Sequence, residues 1–128
     1  MQSEELRIKI TQRTSGFGVL IIKLVNTFPK TPAGFALASQ LVRSGTSIGA
    51  NLQEAQSAAS RKDFINCVNI SLKEARETLY WLELINKSEL ITSDQLCLLI
   101  QENDEIIRIL VAIVKKAKFN SALLTHNS

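Results

Sequence analysis

Acid–base chemistry near neutral pH leans first on histidine, and this chain holds one, His126, third from its C-terminus, where chains are usually poorly ordered. Carboxylate pairs come next. Glu74 and Glu77 are three residues apart, as are Glu102 and Glu105, a spacing that puts each pair on one face of a helix. Close carboxylates perturb each other's ionisation, which general acid catalysis can use. Here Lys73, Arg76 and Arg108 are interleaved with them, so ion-paired or solvated faces account for both pairs. Di-iron bundle chemistry needs Glu-x-x-His pairs on facing helices, and there are none. The serines lie in no G-x-S-x-G turn, and no glycine-rich phosphate loop occurs. Cys67 and Cys97 sit in apolar runs and form no C-x-x-C pair, so they read as small hydrophobes rather than zinc ligands. No catalytic residue, metal ligand or cofactor is expected, and the chain reads as a non-enzyme.

Two other sets of polar residues need an account. Asn51, Glu54, Ser71, Lys73, Glu74 and Thr78 lie on or beside apolar faces. Polar groups near a core cost about 1–3 kcal/mol each unless hydrogen-bonded, so these six are expected to form a structural network across helices, with Arg43 among its partners. The second set is basic: Arg43, Arg61 with Lys62, and Lys115, Lys116 and Lys118. These are the candidate nucleic-acid-binding residues. The last three also suit a helix C-terminus, where cations are favoured by the macrodipole.

The elements that must carry these residues follow from composition and pattern. The chain has 128 residues, 45% hydrophobic and 21% charged, which suits one domain with a real core. Five Gly and two Pro leave little material for the turns of a β-sandwich. Fifteen Lys+Arg against twelve Asp+Glu give a net charge of +3, which permits a nucleic-acid partner without requiring one. The charged start Met1-Gln2-Ser3-Glu4-Glu5 lacks a signal peptide's apolar run. No run of about 18 apolar residues is present to span a membrane. A cytoplasmic protein is expected.

Breaks at 28–32, 57–60 and 86–93 divide the chain into four segments, each suited to a helix of about 37 Å. Thr31 before Pro32 predicts one helix start, Ser60 before Arg61-Lys62-Asp63 a second, and Thr92 or Ser93 a third. Gly34, Ala38, Leu41, Gly45, Ile48, Leu52 and Ala55 recur in steps of four and three. So do Phe64, Val68, Ser71, Ala75, Thr78, Leu82 and Ile85, and likewise Leu96, Ile100, Asn103, Ile107, Leu110, Val114 and Ala117. This is the seam of helices packed at about 20°. The first segment buries Leu6, Ile10, Phe17, Ile21, Leu24 and Phe28, with a weak or bent point expected at Gly16 and Gly18. The chain is therefore expected to be all-α, an antiparallel up-and-down four-helix bundle with helices at about 4–28, 32–57, 61–86 and 93–118 and a flexible tail over 119–128. A loop at Ser44–Ser47, where helix formers are scarce, is the competing expectation there.

Apolar residues also stand off the seams: Ile65, Leu72, Leu79 and Trp81, then Ile106, Ile109, Val111 and Ile113. A helix apolar on more than one face has more than one burial partner, which predicts a subunit interface.

One stretch has a more specific signature. The run Gln40-Leu41-Val42-Arg43-Ser44-Gly45-Thr46-Ser47-Ile48-Gly49-Ala50-Asn51-Leu52-Gln53-Glu54-Ala55, with Ser60-Arg61-Lys62-Asp63-Phe64 and the segment from Ser71 to Ile85, resembles the 23S ribosomal RNA intervening-sequence family of bacterial four-helix bundles. Its hallmark positions match Arg43, Ser44, Ser47, Ile48, Asn51, Glu54, Phe64, Lys73, Glu74, Thr78 and Trp81. Where many relatives carry Asn-Ile-Ala-Glu-Gly, this chain has Asn51-Leu52-Gln53-Glu54-Ala55. The resemblance implies a bundle assembling as a homopentameric ring. A related protein, the accessory variability determinant of diversity-generating retroelements, implies nucleic-acid binding and a reverse transcriptase partner. The resemblance supplies no catalytic residues. On a ring, each basic cluster would be repeated into a positive belt, which phosphate chains reward through counterion release. The expected function is thus a non-enzymatic oligomeric bundle binding RNA or DNA; the alternative is a protein–protein interaction scaffold.

Overall fold

The computed structural model describes residues 2–127, and side chains over 4–122. Four helices follow in order: α1 Gln2–Val25, α2 Pro32–Gln56, α3 Arg61–Lys87 and α4 Asp94–Asn127. No strand occurs among the described residues. Neighbours in sequence are neighbours in space, and α4 returns to α1 to close the bundle, through the loosest of its four lateral contacts.

Local chemistry fixes the helix ends. Thr31 caps α2 by accepting from the Gly34 amide, with Pro32 in the first turn. Ser60 caps α3 by accepting from the Asp63 amide. Ser93 Oγ accepts from the Gln95 amide at 3.1 Å and starts α4. Helix α3 ends in a paired-carbonyl turn: the Leu90 amide donates to Ile85 and the Glu89 amide to Asn86, the Schellman arrangement. Its left-handed position is Glu89, at φ 57°, where glycine is usual.

The core matches three of the four expected seams closely. On α2, Gly34, Leu41, Gly45, Ile48, Leu52 and Ala55 are buried, joined by Ser44, and Ala38 is half-buried. On α3 the whole expected seam is buried, with Leu72 added. On α1, Ile10, Phe17, Ile21, Leu24 and the following Phe28 are buried, whereas Leu6 is exposed. Helix α2 runs unbroken through Ser44–Ser47, so the competing loop is not present, and α1 is continuous through Gly16 and Gly18.

Helix α4 differs in two ways. Its core face is Leu96, Leu99, Asn103, Ile106, Leu110, Ile113, Val114 and Ala117, while Ile100 and Ile107 are only half-buried. The seam is rotated by one residue because Leu99/Ile100 and Ile106/Ile107 are apolar twins, between which period alone cannot choose. The helix also continues past 118 to Asn127, since Phe119-Asn120-Ser121-Ala122 contains no Gly or Pro to stop it.

The surplus apolar residues relocate accordingly. Leu72, Ile106 and Ile113 belong to the bundle's own core. Among the described residues, the exposed large apolar side chains are most numerous on α1, as Leu6, Ile8, Val19, Leu20 and Ile22, with Phe35 on α2, Ile70 and Tyr80 on α3, and Leu98 and Phe119 on α4. Among the described residues, no helix is long and apolar enough to cross a membrane.

Small residues on α2 set the close approaches. A Cβ on Gly45 would sit 3.1 Å from Ile21 side-chain carbons of α1, and one on Gly34 would sit 1.9 Å from the Pro29 carbonyl oxygen. Gly16 meets nothing within 4 Å. Gly34→Ala is therefore expected to destabilise by about 2–3 kcal/mol through overpacking against backbone, while Gly16→Ala stabilises by about 1 kcal/mol through helix propensity. Urea unfolding of the two variants checks both signs. The same measurement separates the twins on α4: Ile106→Ala is expected to cost about 2–5 kcal/mol as a cavity in a filled core, and Ile107→Ala clearly less.

Candidate nucleic-acid interface

The carboxylate pairs prove to be structural. Arg43 on α2 reaches across to α3, donating to Glu74 at 3.2 Å and pairing with Glu77. Arg13 on α1 does the same to α4, donating through Nε and Nη2 to both oxygens of Glu102 at 2.7 Å and pairing with Glu105 at 3.0 Å. Each i, i+3 carboxylate pair is thus bridged by one arginine from a neighbouring helix. A forked guanidinium is built for such two-point contact. Arg43, expected to be a nucleic-acid contact, is here engaged in this clamp, and Arg13 gives no local signal because its partners Glu102 and Glu105 lie 89 or more positions away in sequence.

The clamp shows in the ionisation of its members. Hydrogen bonding to Arg13 holds the Glu102 carboxyl below its usual 4.5, against the opposing effect of burial. The same hydrogen bond raises Arg13 further above its ordinary value.

The polar network exists but is smaller than expected. The Thr78 and Ser44 hydroxyls are hydrogen-bonded at 2.9 Å across α2 and α3, and Ser71 Oγ donates to the Ile48 carbonyl. Asn103 Nδ2 donates to the Ala75 carbonyl, while its Oδ1 is buried without a partner. Asn51 bonds only to Ser47 of its own helix. Glu54 and Lys73 are exposed, outside the network. Glu77 also accepts from Trp81 Nε1 at 3.1 Å.

Among the described residues, no group of His, Cys, Asp or Glu gathers to hold a metal. The His126 side chain lies outside those residues. Cys67 is half-buried, and Cys97 is exposed rather than packed in the core.

The remaining basic residues come together. The antiparallel course brings the start of α1, the end of α2, the start of α3 and the last turns of α4 to one end of the bundle. That end carries Arg7, Lys9, Arg61, Lys62, Lys115, Lys116 and Lys118 against Glu4, Glu5, Glu54 and Asp63, so the chain's whole +3 excess resides there. Arg61 and Lys116 meet at one pocket of about 220 Å³, together with Arg7, which sequence reasoning missed. Arg7 Cζ lies 4.0 Å from the centre of the Phe64 ring, a cation–π contact that ties the start of α1 to α3. Lys62, Lys115 and Lys118 are exposed at the same end without lining the pocket.

Comparison with known proteins agrees with this architecture. The family model for the 23S rRNA-intervening sequence protein matches residues 6–112. A crystal structure of a protein of unknown function from the S23 ribosomal protein family of Bacteroides thetaiotaomicron VPI-5482 aligns with a TM-score of 0.79 at 42% identity, covering 86% of this chain and 98% of that one. None of the curated proteins matches.

The Arg13 clamp predicts an acid limb of stability. Glu102 ionises more easily folded than unfolded, so its contribution is full above the unfolded value near 4.5 and is lost as pH falls through the lower folded value. Chemical denaturation from pH 6 down to pH 3 is expected to show stability falling more steeply for the native chain than for Glu102→Gln.

Proposed function

The chain belongs to the 23S rRNA-intervening sequence protein family, and from that membership we propose that it is a non-enzymatic RNA-binding protein that grips phosphates with the basic end of its bundle. The observation that carries this reading is the segregation of charge. At the waist, Arg13 and Arg43 are each clamped by two carboxylates; at the end, cations outnumber acids seven to four. Unneutralised, exposed cations on one face are what a phosphate chain rewards. The family description names an intervening sequence of 23S rRNA, and the aligned structure is described as belonging to a ribosomal protein family; both favour RNA over DNA as the partner. A cytoplasmic site of action follows from that partner.

The proposal includes self-assembly as a ring, a pentamer by resemblance. The exposed Val19 and Ile22 of α1 flank a shallow groove against α2 that Gly18, Gly49 and Ala50 line together with Thr46 and Gln53, and exposed apolar side chains of this kind are what subunits cover. Assembly would repeat the basic end around the ring and multiply weak phosphate contacts.

Fluorescence anisotropy with a structured RNA across a salt series tests the reading. Log affinity is expected to fall linearly with log salt, and Arg61→Ala/Lys116→Ala to weaken binding and flatten the slope by about one to two units. No binding at low salt, or a flat salt response, would overturn it. Capture of a protein and no nucleic acid would favour the scaffold alternative.

A further inference from the structure

The pocket at the basic end differs from a plain charged surface. Its floor is apolar, made by Phe64, Ile113 and Ala117, all buried. Its rim holds Arg7, Arg61 and Lys116, with the Asn120 amide beside them, and no carboxylate among the described residues lines it. Phosphates alone would need the rim and not the floor. A ligand that uses both is an anion carrying a flat apolar group. At about 220 Å³, the space is below the roughly 300–1,000 Å³ of sites for drug-sized molecules, which suits one nucleobase. Exposed Lys62, Lys115 and Lys118 extend the positive charge outward from the rim, which favours one unit of a longer phosphate chain over a free small anion.

We propose that this pocket receives a single unpaired nucleobase of a bound RNA, with its flanking phosphates on Arg61 and Lys116 and its ring against the Arg7 guanidinium that Phe64 holds in place. Guanidinium planes and aromatic rings are the usual platforms for splayed-out bases. A base within a duplex cannot enter. The protein would therefore select single-stranded segments, loops or ends rather than helices. This inference rests on the RNA-binding reading and adds what part of the RNA is recognised.

The test compares a short single-stranded RNA with its abasic counterpart, which keeps every phosphate and lacks the bases. Anisotropy at one salt concentration is expected to show the intact strand bound about tenfold tighter, the low end of what a stacked base contributes. Ala112 is an exposed helical residue on the pocket wall, so Ala112→Leu narrows the pocket without touching charge or core. This variant is expected to bring the intact-to-abasic ratio towards one, with the far-ultraviolet circular dichroism and melting temperature of the native chain. Equal affinity for the two strands, or a ratio that survives Ala112→Leu, would overturn the inference while leaving phosphate binding in place. Failure of both strands to bind at low salt would overturn the RNA reading and this inference with it.

Discussion

The bundle depends on how closely α2 lets its neighbours approach. Small residues repeat along its seam, and at Gly45 the absence of a Cβ lets Ile21 of α1 pack close, where an added Cβ would sit 3.1 Å from its side-chain carbons. On its other flank the Ser44 hydroxyl meets Thr78 and the Ile48 carbonyl meets Ser71, contacts that require short side chains between α2 and α3. With α1 and α3 both drawn onto α2, and α4 packed on α3, the remaining seam between α4 and α1 stays loose. It is there that Arg13 spans to Glu102 and Glu105, and there that the basic pocket opens beside Leu6 and Ile113. A tight side and an open side are two consequences of one distribution of side-chain size.

The sequence made most of this frame legible, for identifiable reasons. Caps at Thr31, Ser60 and Ser93 are local signals, read within a few residues of the bonds they make. The seams of α2 and α3 alternate apolar with polar cleanly enough to fix their faces. On α4, Leu99/Ile100 and Ile106/Ile107 blur that contrast, and only the position of its neighbours decides which twin is buried. The site was less legible because its parts are distant in the chain. Arg61 and Lys116 could be flagged separately as basic. Arg7 lies in an ordinary charged stretch, and only the Phe64 ring 57 residues later gives it a role. The arginine clamps were hidden for the same reason: a carboxylate pair announces itself locally, whereas the guanidinium that neutralises it comes from another helix.

Charge in this molecule has two uses that composition merges into one number. At the waist each clamp holds helices in register, and its partly exposed members contribute modestly to stability. At the end the cations have few carboxylates to satisfy them; among the described residues only Lys9 is paired there, with Glu5 at 3.5 Å. A net charge of +3 would mean little if spread evenly. Concentrated at one end of rods some 36 Å or more in length, it gives the bundle a polarity, and the proposed interface follows from that polarity rather than from overall basicity.

The length of α4 bears on this argument most directly. If the helix stopped at Lys118, Lys115, Lys116 and Lys118 would be explained by the partial negative charge at its C-terminus, an effect confined to the last turn. The helix continues to Asn127, so Lys118 stands more than two turns short of that end and the macrodipole no longer accounts for it. The same continuation carries Asn120 into the pocket wall. Three exposed lysines within four positions of a helix interior repel one another and find no carboxylate on α4 beyond Glu105. That repulsion is modest between solvated side chains; under the proposed reading a phosphate chain would relieve it, and the apolar floor beside Lys116 would take one of its bases.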